Sequence, residues 1–367
     1  MYTEAVDYLE AVEEGENVLI VHHWDMDGSC AAAITSKVIE EVRGTGADFV
    51  TIPADRKHQV GRRAERIIEQ EQVERLIVLD MSVPSDRVEE LHREHDVEIL
   101  IVDHHDFDED LEDAVFVNPR LDDPDAYVPA AKLCNDISKE FGLDLDWIAG
   151  MGIIQDFAVE AAPELFERLA KLYPKYFPDE LTQDNLAKSC TYGRYASVLN
   201  VKTYKDTEDC AVKAFKALTR ADGLKYLESR EEYQELLEYY EEMQDEFTRI
   251  KERFEDEKEV YEDEKLVFFE FESPYHINSA IATQVSLEKE DWAYIIAKRE
   301  GDRINVSSRC QDGRLDLGSL LREALPEDAG ENAEAGGHRV AAGASFDAGR
   351  LEAFKQNLLD AVGAAED

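Results

Sequence analysis

Three short stretches gather acids and histidines where apolar runs stop. HWDMDG (23–28) sets His23, Asp25 and Asp27 on alternate positions and closes with a glycine. VLDMS (78–82) carries Asp80, and VDHHD (102–106) carries Asp103, His104 and His105. A fourth stretch, GIIQD (152–156), ends an apolar, glycine-containing run in Asp156. Charged groups at the ends of buried strands are costly unless something pairs with them, and none of the four stretches contains a lysine. Brought together, these groups would repel one another without cations. Carboxylates and imidazoles suit manganese, magnesium and zinc, so the chemistry to expect is that of two divalent metal ions. A metal pair roughly 3.5–4 Å apart lowers the pKa of a water between them. No covalent enzyme intermediate is required, and Cys30 reads as a small packing residue rather than a nucleophile.

Residues so distant in sequence meet only if the runs before them lie side by side. Apolar runs at 17–22, 48–52, 75–80 and 97–105 alternate with helical patterns at 29–43, 59–71 and 84–95. That alternation predicts a parallel sheet covered on both faces, whose ligands bind outside the carboxyl ends of the strands. From 128 to about 260 the pattern is helical, and 224–265 is acid-rich and free of glycine and proline. It reads as a solvated helix joining two domains, with apolar heptads weak for a coiled-coil dimer. A second alternating region follows: a strand (265–272), a helix (277–289), a hairpin (292–309), a helix (316–325), GGHRVAAGASF (336–346) and a last helix (348–363). The expected fold class is α/β, with a parallel-sheet domain and flanking helices over 1–190. A helical extension and linker over 191–264 leads to a smaller α/β domain over 265–367.

Eighty-four acids against 40 bases leave a net charge of −44 over 367 residues, dispersed along the chain. In dilute buffer such a surface repels nucleic acid and anionic membranes. It fits molar salt, where the Debye length falls to ~3 Å, and predicts a halophilic, archaeal source; an acidic protein with a basic partner is the alternative. Five scattered cysteines without a CxxC pair predict reduced thiols rather than a disulfide framework or zinc ribbon. The N-terminus lacks a signal-peptide pattern and no apolar run approaches the ~20 residues of a membrane span, so a cytoplasmic protein is expected.

The blocks HWDMDG, VLDMS, VDHHD and GIIQD, followed by GGHRVAAGASF, resemble in kind and order the motifs of the DHH phosphoesterase superfamily, the last belonging to its DHH-associated C-terminal domain. Gln155 departs from the pattern, since many relatives carry glycine there. The resemblance implies one metal held by His23, Asp25 and Asp80 and a second held by Asp27, Asp80, His104 and Asp156, with Asp80 bridging. It implies that His105 faces the scissile phosphate and that Asp103 orients the histidines. In the C-terminal domain it implies substrate contacts from Arg309, Ser308, Gly336, Gly337 and His338, the glycines forming an anion nest. His276 precedes a small-residue helix, as in nuclease relatives, and equally suits a core or capping role.

The function implied is a manganese-dependent phosphodiesterase, with magnesium as the alternative ion. It would release 5′-mononucleotides from single-stranded DNA, RNA or short oligonucleotides, as in the RecJ-like exonuclease and oligoribonuclease branches, with the second domain closing over the metals. Alternatives are hydrolysis of cyclic di-AMP or of phosphoadenosine phosphate, and a non-catalytic replisome subunit. A homodimer or a replication-complex partner is compatible with each.

Overall fold

The computed structural model describes residues 2–53, 60–107, 111–201, 208–330 and 332–366. The chain forms two compact units that part between Tyr240 and Glu241. In the first, five strands lie in the order β2-β1-β3-β4-β5: β1 (Val18–His22), β2 (Phe49–Thr51), β3 (Arg75–Leu79), β4 (Glu98–Val102) and β5 (Val115–Val117). Every neighbouring pair is parallel, as the alternating pattern predicts. Its helices are α1 (Thr3–Glu10), α2 (Met26–Arg43), α3 (Arg62–Glu71), α4 (Ser85–His95), α5 (Ala130–Glu140), α6 (Asp146–Gln155), α7 (Pro163–Leu172), α8 (Gln183–Lys188), α9 (Thr191–Leu199) and α10 (Glu208–Arg220). The helix expected over 59–71 thus runs from Arg62, and residue 59 lies outside the described residues.

Both sheet faces are buried, which is why the strands read as unbroken apolar runs. Val18, Ile20, Ile77, Leu79, Leu100 and Val102 pack into one core with α1, α2, α5 and α6. The alternate residues Leu19, Val21, Leu76, Val78, Ile99 and Ile101 pack into a second core with α3 and α4. From β1 the chain goes to one side, to β2, and from β3 to the other, so the topological switch lies between β1 and β3.

Helix α2 starts three residues earlier than the apolar pattern predicts. Asp25 is its N-cap, accepting the Gly28 N–H at 3.0 Å, so Asp27 and Gly28 lie in its first turn rather than in a loop. Helix α11 (Glu231–Glu257) contains the division between the units.

The second unit holds β6 (Glu259–Tyr261), β7 (Leu266–Glu272), α12 (Asn278–Val285), β8 (Ala293–Glu300), β9 (Arg303–Arg309), α13 (Leu317–Ala324), β10 (Glu334–His338), β11 (Ala341–Asp347) and α14 (Leu351–Glu366). Its sheet order is β10-β11-β9-β8-β7-β6, antiparallel except for β7 against β8. One face is an apolar core with α13 and α14, including Ile304, Val306, Phe346, Leu321 and Phe354. Among the described residues no helix is long and apolar enough to cross a membrane.

Candidate metal centre

The parallel ladder continues one residue past three strands, and each time that residue is an expected site residue. The His23 N–H donates to the Leu79 carbonyl at 3.1 Å, Asp80 to Val102 at 2.9 Å and Asp103 to Val117 at 3.0 Å. Backbone hydrogen bonds therefore fix where each side chain starts. Asp80 adopts a left-handed φ of 60°, uncommon outside glycine and asparagine. Asp156 caps α6, its N–H donating to the Gly152 carbonyl at 2.9 Å. Two glycines permit the close approach. A Cβ at Gly28 would stand 2.5 Å from the His23 carbonyl oxygen, and one at Gly152 would stand 2.9 Å from Asp27 Oδ1.

The structure brings the acids and histidines of all four stretches together. His23 Nδ1 is 2.5 Å from Asp25 Oδ2 and 3.4 Å from Asp80 Oδ2. On the other side of Asp80, His104 Nε2 is 3.2 Å from its Oδ1 and 3.8 Å from Asp156 Oδ2. The donor atoms fall into groups within 4.8 Å of one another: His23, Asp25 and Asp80; Asp27, His104 and Asp156; and Asp80, His104 and His105. His105 donates through Nδ1 to Asp103 Oδ1 at 2.7 Å, so Asp103 holds a histidine ring.

Electrostatics mark the cluster as a place for cations. Burial, then Asp156 and Asp25, push the Asp27 carboxyl well above its usual range. Burial, then Asp25 and Asp27, do the same to Asp80. Burial is also the main cause lifting Asp156 to about 6 and bringing His104 down to about 4. The hydrogen bond to Asp103 raises His105 instead. His104 Nδ1 is buried without a hydrogen-bond partner among the described residues. Carboxylates whose charge is disfavoured by burial and by one another, with donor atoms of neighbouring residues facing them, fit divalent cations such as manganese or magnesium.

Several supporting residues escape a reading by motif. Asn118 Nδ2 donates to the His105 carbonyl at 3.0 Å and Arg120 Nε to the His104 carbonyl at 2.9 Å, pinning the backbone of the histidine pair. The Tyr127 hydroxyl donates to Asp156 Oδ2 at 2.7 Å. Asp27 accepts from the N–H groups of Ala130 (2.7 Å) and Ala131 (3.0 Å) at the start of α5. The Asn-Pro pair at 118–119 is a turn signal; Tyr127 carries no comparable mark.

In the second unit Arg309 ends β9, donating to Thr283 Oγ1 (3.1 Å), Ser279 Oγ (2.9 Å) and its neighbour's carbonyl (2.8 Å). Ser308 corrects the expectation for its side chain. It is fully buried and its hydroxyl donates to the Ala342 carbonyl at 3.0 Å, because alternation along β9 turns it into the core. Gly336, Gly337 and His338 form an edge strand paired with β11, not the loop of successive N–H groups expected of an anion nest. The glycine requirement there is steric: Gly337 has φ +133°, and a Cβ would lie 2.6 Å from Ala342 Cα. His338 is exposed, while Arg339 donates through Nε to the Gly313 carbonyl at 2.7 Å. His276 Nδ1 lies 3.3 Å from the fully buried Lys298 Nζ.

Comparison with known proteins agrees with both units. The model of the DHH family, N-terminal domain, matches residues 17–172, and that of the DHHA1 domain matches 265–364. A solved structure of exonuclease RecJ bound to manganese is 19% identical, with a TM-score of 0.67 over 98% of this chain and 94% of that one. RecJ from Thermus thermophilus in complex with Mn2+ is 19% identical, with a TM-score of 0.67 over 99% of this chain and 54% of that one. CDC45 from Entamoeba histolytica is 10% identical, with a TM-score of 0.61 over 99% of this chain and 98% of that one. At these identities the likeness is one of fold. No curated protein sequence matches the chain.

Proposed function

This chain belongs to the DHH family and carries a DHHA1 domain, which with donor groups that could hold cations makes it a metal-dependent phosphoesterase; we propose that it cleaves the phosphodiester bonds of single-stranded nucleic acid or short oligonucleotides, releasing 5′-mononucleotides. The observation that carries this reading is the pair of donor groups on either side of Asp80, beside a histidine held by its own aspartate.

In this reading His23, Asp25 and Asp80 would hold one ion, and Asp27, Asp80, His104 and Asp156 the other, manganese or magnesium. Such a pair would supply an activated water and countercharge for the phosphoryl oxygens. Asp103 fixes the ring of His105 and favours its protonated form, so His105 can donate to a non-bridging phosphoryl oxygen or protonate the leaving oxygen. Arg120 and Asn118 keep the histidine backbone in place. Arg309, His338 and the backbone at Gly336–Gly337 are the second unit's candidate phosphate contacts. The RecJ exonucleases of like fold, solved with manganese, support both the ion and the substrate class.

The test is purified protein with manganese in high salt against labelled 5-mers and 30-mers of DNA and RNA, cyclic di-AMP and phosphoadenosine phosphate. Mononucleotides released from the oligomers, and lost on chelation, are expected. Hydrolysis of the small nucleotides alone would transfer the function to that class, and no hydrolysis of any substrate would favour a non-catalytic subunit.

A further inference from the structure

Helix α6 ends in a hydrogen-bonded turn that takes an unusual residue. The Ala158 N–H donates to the Ile153 carbonyl at 3.0 Å and the Phe157 N–H to Ile154 at 3.2 Å. This is the Schellman pattern, with Asp156 as C-cap and Phe157 at the following position, where glycine is usual. Phe157 sits there at φ 56°, a left-handed conformation that strains a residue with a bulky side chain. The residue is also 81% exposed, more than any other large apolar residue among the described residues. The position is unfavourable on both counts, and glycine would end the helix better.

The turn is held firmly from outside. The Tyr127 hydroxyl reaches both Asp156 Oδ2 (2.7 Å) and the Asp156 carbonyl (3.3 Å). Gln183 donates through Nε2 to the Ile154 carbonyl at 2.8 Å and accepts from the Val159 N–H at 3.2 Å. A bare aromatic ring is thus displayed on a rigid turn, one residue from a member of the metal-donor cluster. Two further rings touch that cluster: Tyr127 stands edge-on to His104 at 5.1 Å, and Trp24 lies 4.1 Å from His23.

We infer that Phe157 stacks on a nucleobase flanking the phosphodiester bond that is cleaved, making it a substrate-binding contact that is blind to base identity. The inference rests on the phosphodiesterase reading and adds what is recognised besides phosphate. Charge favours this occupant. A chain of net charge −44 gains little from long-range attraction to a polyanion, and high salt weakens phosphate contacts further. Base–aromatic stacking carries no net charge and tolerates any base.

The test compares wild type with Phe157→Gly, Phe157→Asn and Phe157→Trp. The substrates are pentanucleotides either intact or abasic at the first or last position. Hydrolysis is measured in manganese and equilibrium binding by fluorescence anisotropy in calcium. Phe157→Gly and Phe157→Asn suit the left-handed backbone and should fold, the glycine variant with a Tm about 2–4 °C higher. Both should lose about 5- to 100-fold in affinity and kcat/KM for the intact oligomer, with no further loss on one of the two abasic oligomers, and Phe157→Trp should retain both. Unchanged affinity for the intact oligomer would overturn the inference, as would an equal loss on intact and both abasic substrates. Binding that follows this pattern without hydrolysis would sink the phosphodiesterase reading alone.

Discussion

Asp80 lies between the two donor groups, with His23 at one oxygen and His104 at the other, so its removal should cost more than that of any other donor. Each ion bound only by the native protein stabilises it by about 2.7 kcal/mol at a hundredfold excess over its Kd. Two ions contribute about 5 kcal/mol, which at 2–4 °C per kcal/mol for a unit of this size raises the Tm by about 10–20 °C. Asp80→Asn is the cleanest perturbation, because asparagine tolerates the φ of 60° and matches the carboxylate in size. Without metal the variant should melt no lower than wild type, since burial and the neighbouring Asp25 and Asp27 already disfavour the Asp80 charge. With manganese its Tm shift should nearly vanish. Asp156→Asn, which alters one group only, should keep about half. Differential scanning fluorimetry with and without manganese, after chelation, reads all three proteins. If Asp80→Asn kept more than half of the wild-type shift, the two groups would not share this residue and the ligand assignment would be wrong.

Asp103→Asn should move the alkaline limb of the kcat/KM profile to lower pH. His105 is raised chiefly by its bond to Asp103, so its protonated form persists to higher pH in wild type and is lost earlier in the variant; an unmoved limb would remove His105 from proton transfer. Arg309→Ala should raise KM for oligonucleotides roughly ten- to a hundredfold, the worth of one charge-assisted hydrogen bond, and an unchanged KM at every length would exclude it from the substrate site. The Tm should climb from low to molar potassium chloride as salt screens a net charge of −44, whereas a flat curve would count against a halophilic origin.

The legible part of the molecule was the part governed by pattern. Runs such as Val18–His22 and Arg75–Leu79 are buried on both faces, so they stand out as strands, and the rule that ligands lie past their carboxyl ends brings His23, Asp80 and Asp103 together. Strand β5 has only three residues, two of them half-buried, too few for a period to register. The start of α2 was misplaced because a capping aspartate, rather than an apolar residue, begins the helix. Tyr127, Asn118 and Arg120 act across the fold through one hydroxyl and two backbone carbonyls, contacts with no spacing to detect. Ser308 and the Gly336–Gly337 run show the opposite limit. A resemblance names a position, but strand alternation and backbone crowding decide whether a side chain there is displayed.

Asp27 serves two masters. Its oxygens accept the first N–H groups of α5, a helix whose own N-cap position is a proline without a capping side chain. A carboxylate has lone pairs enough for two amide protons and a cation together, whereas an amide side chain has one acceptor oxygen. The nearest substitution therefore damages the architecture as well as the chemistry. Selection for a stable fold is enough to retain this aspartate. An aspartate at this position is therefore expected wherever α5 starts in the same way, and its presence alone is poor testimony that a protein of this fold cuts anything.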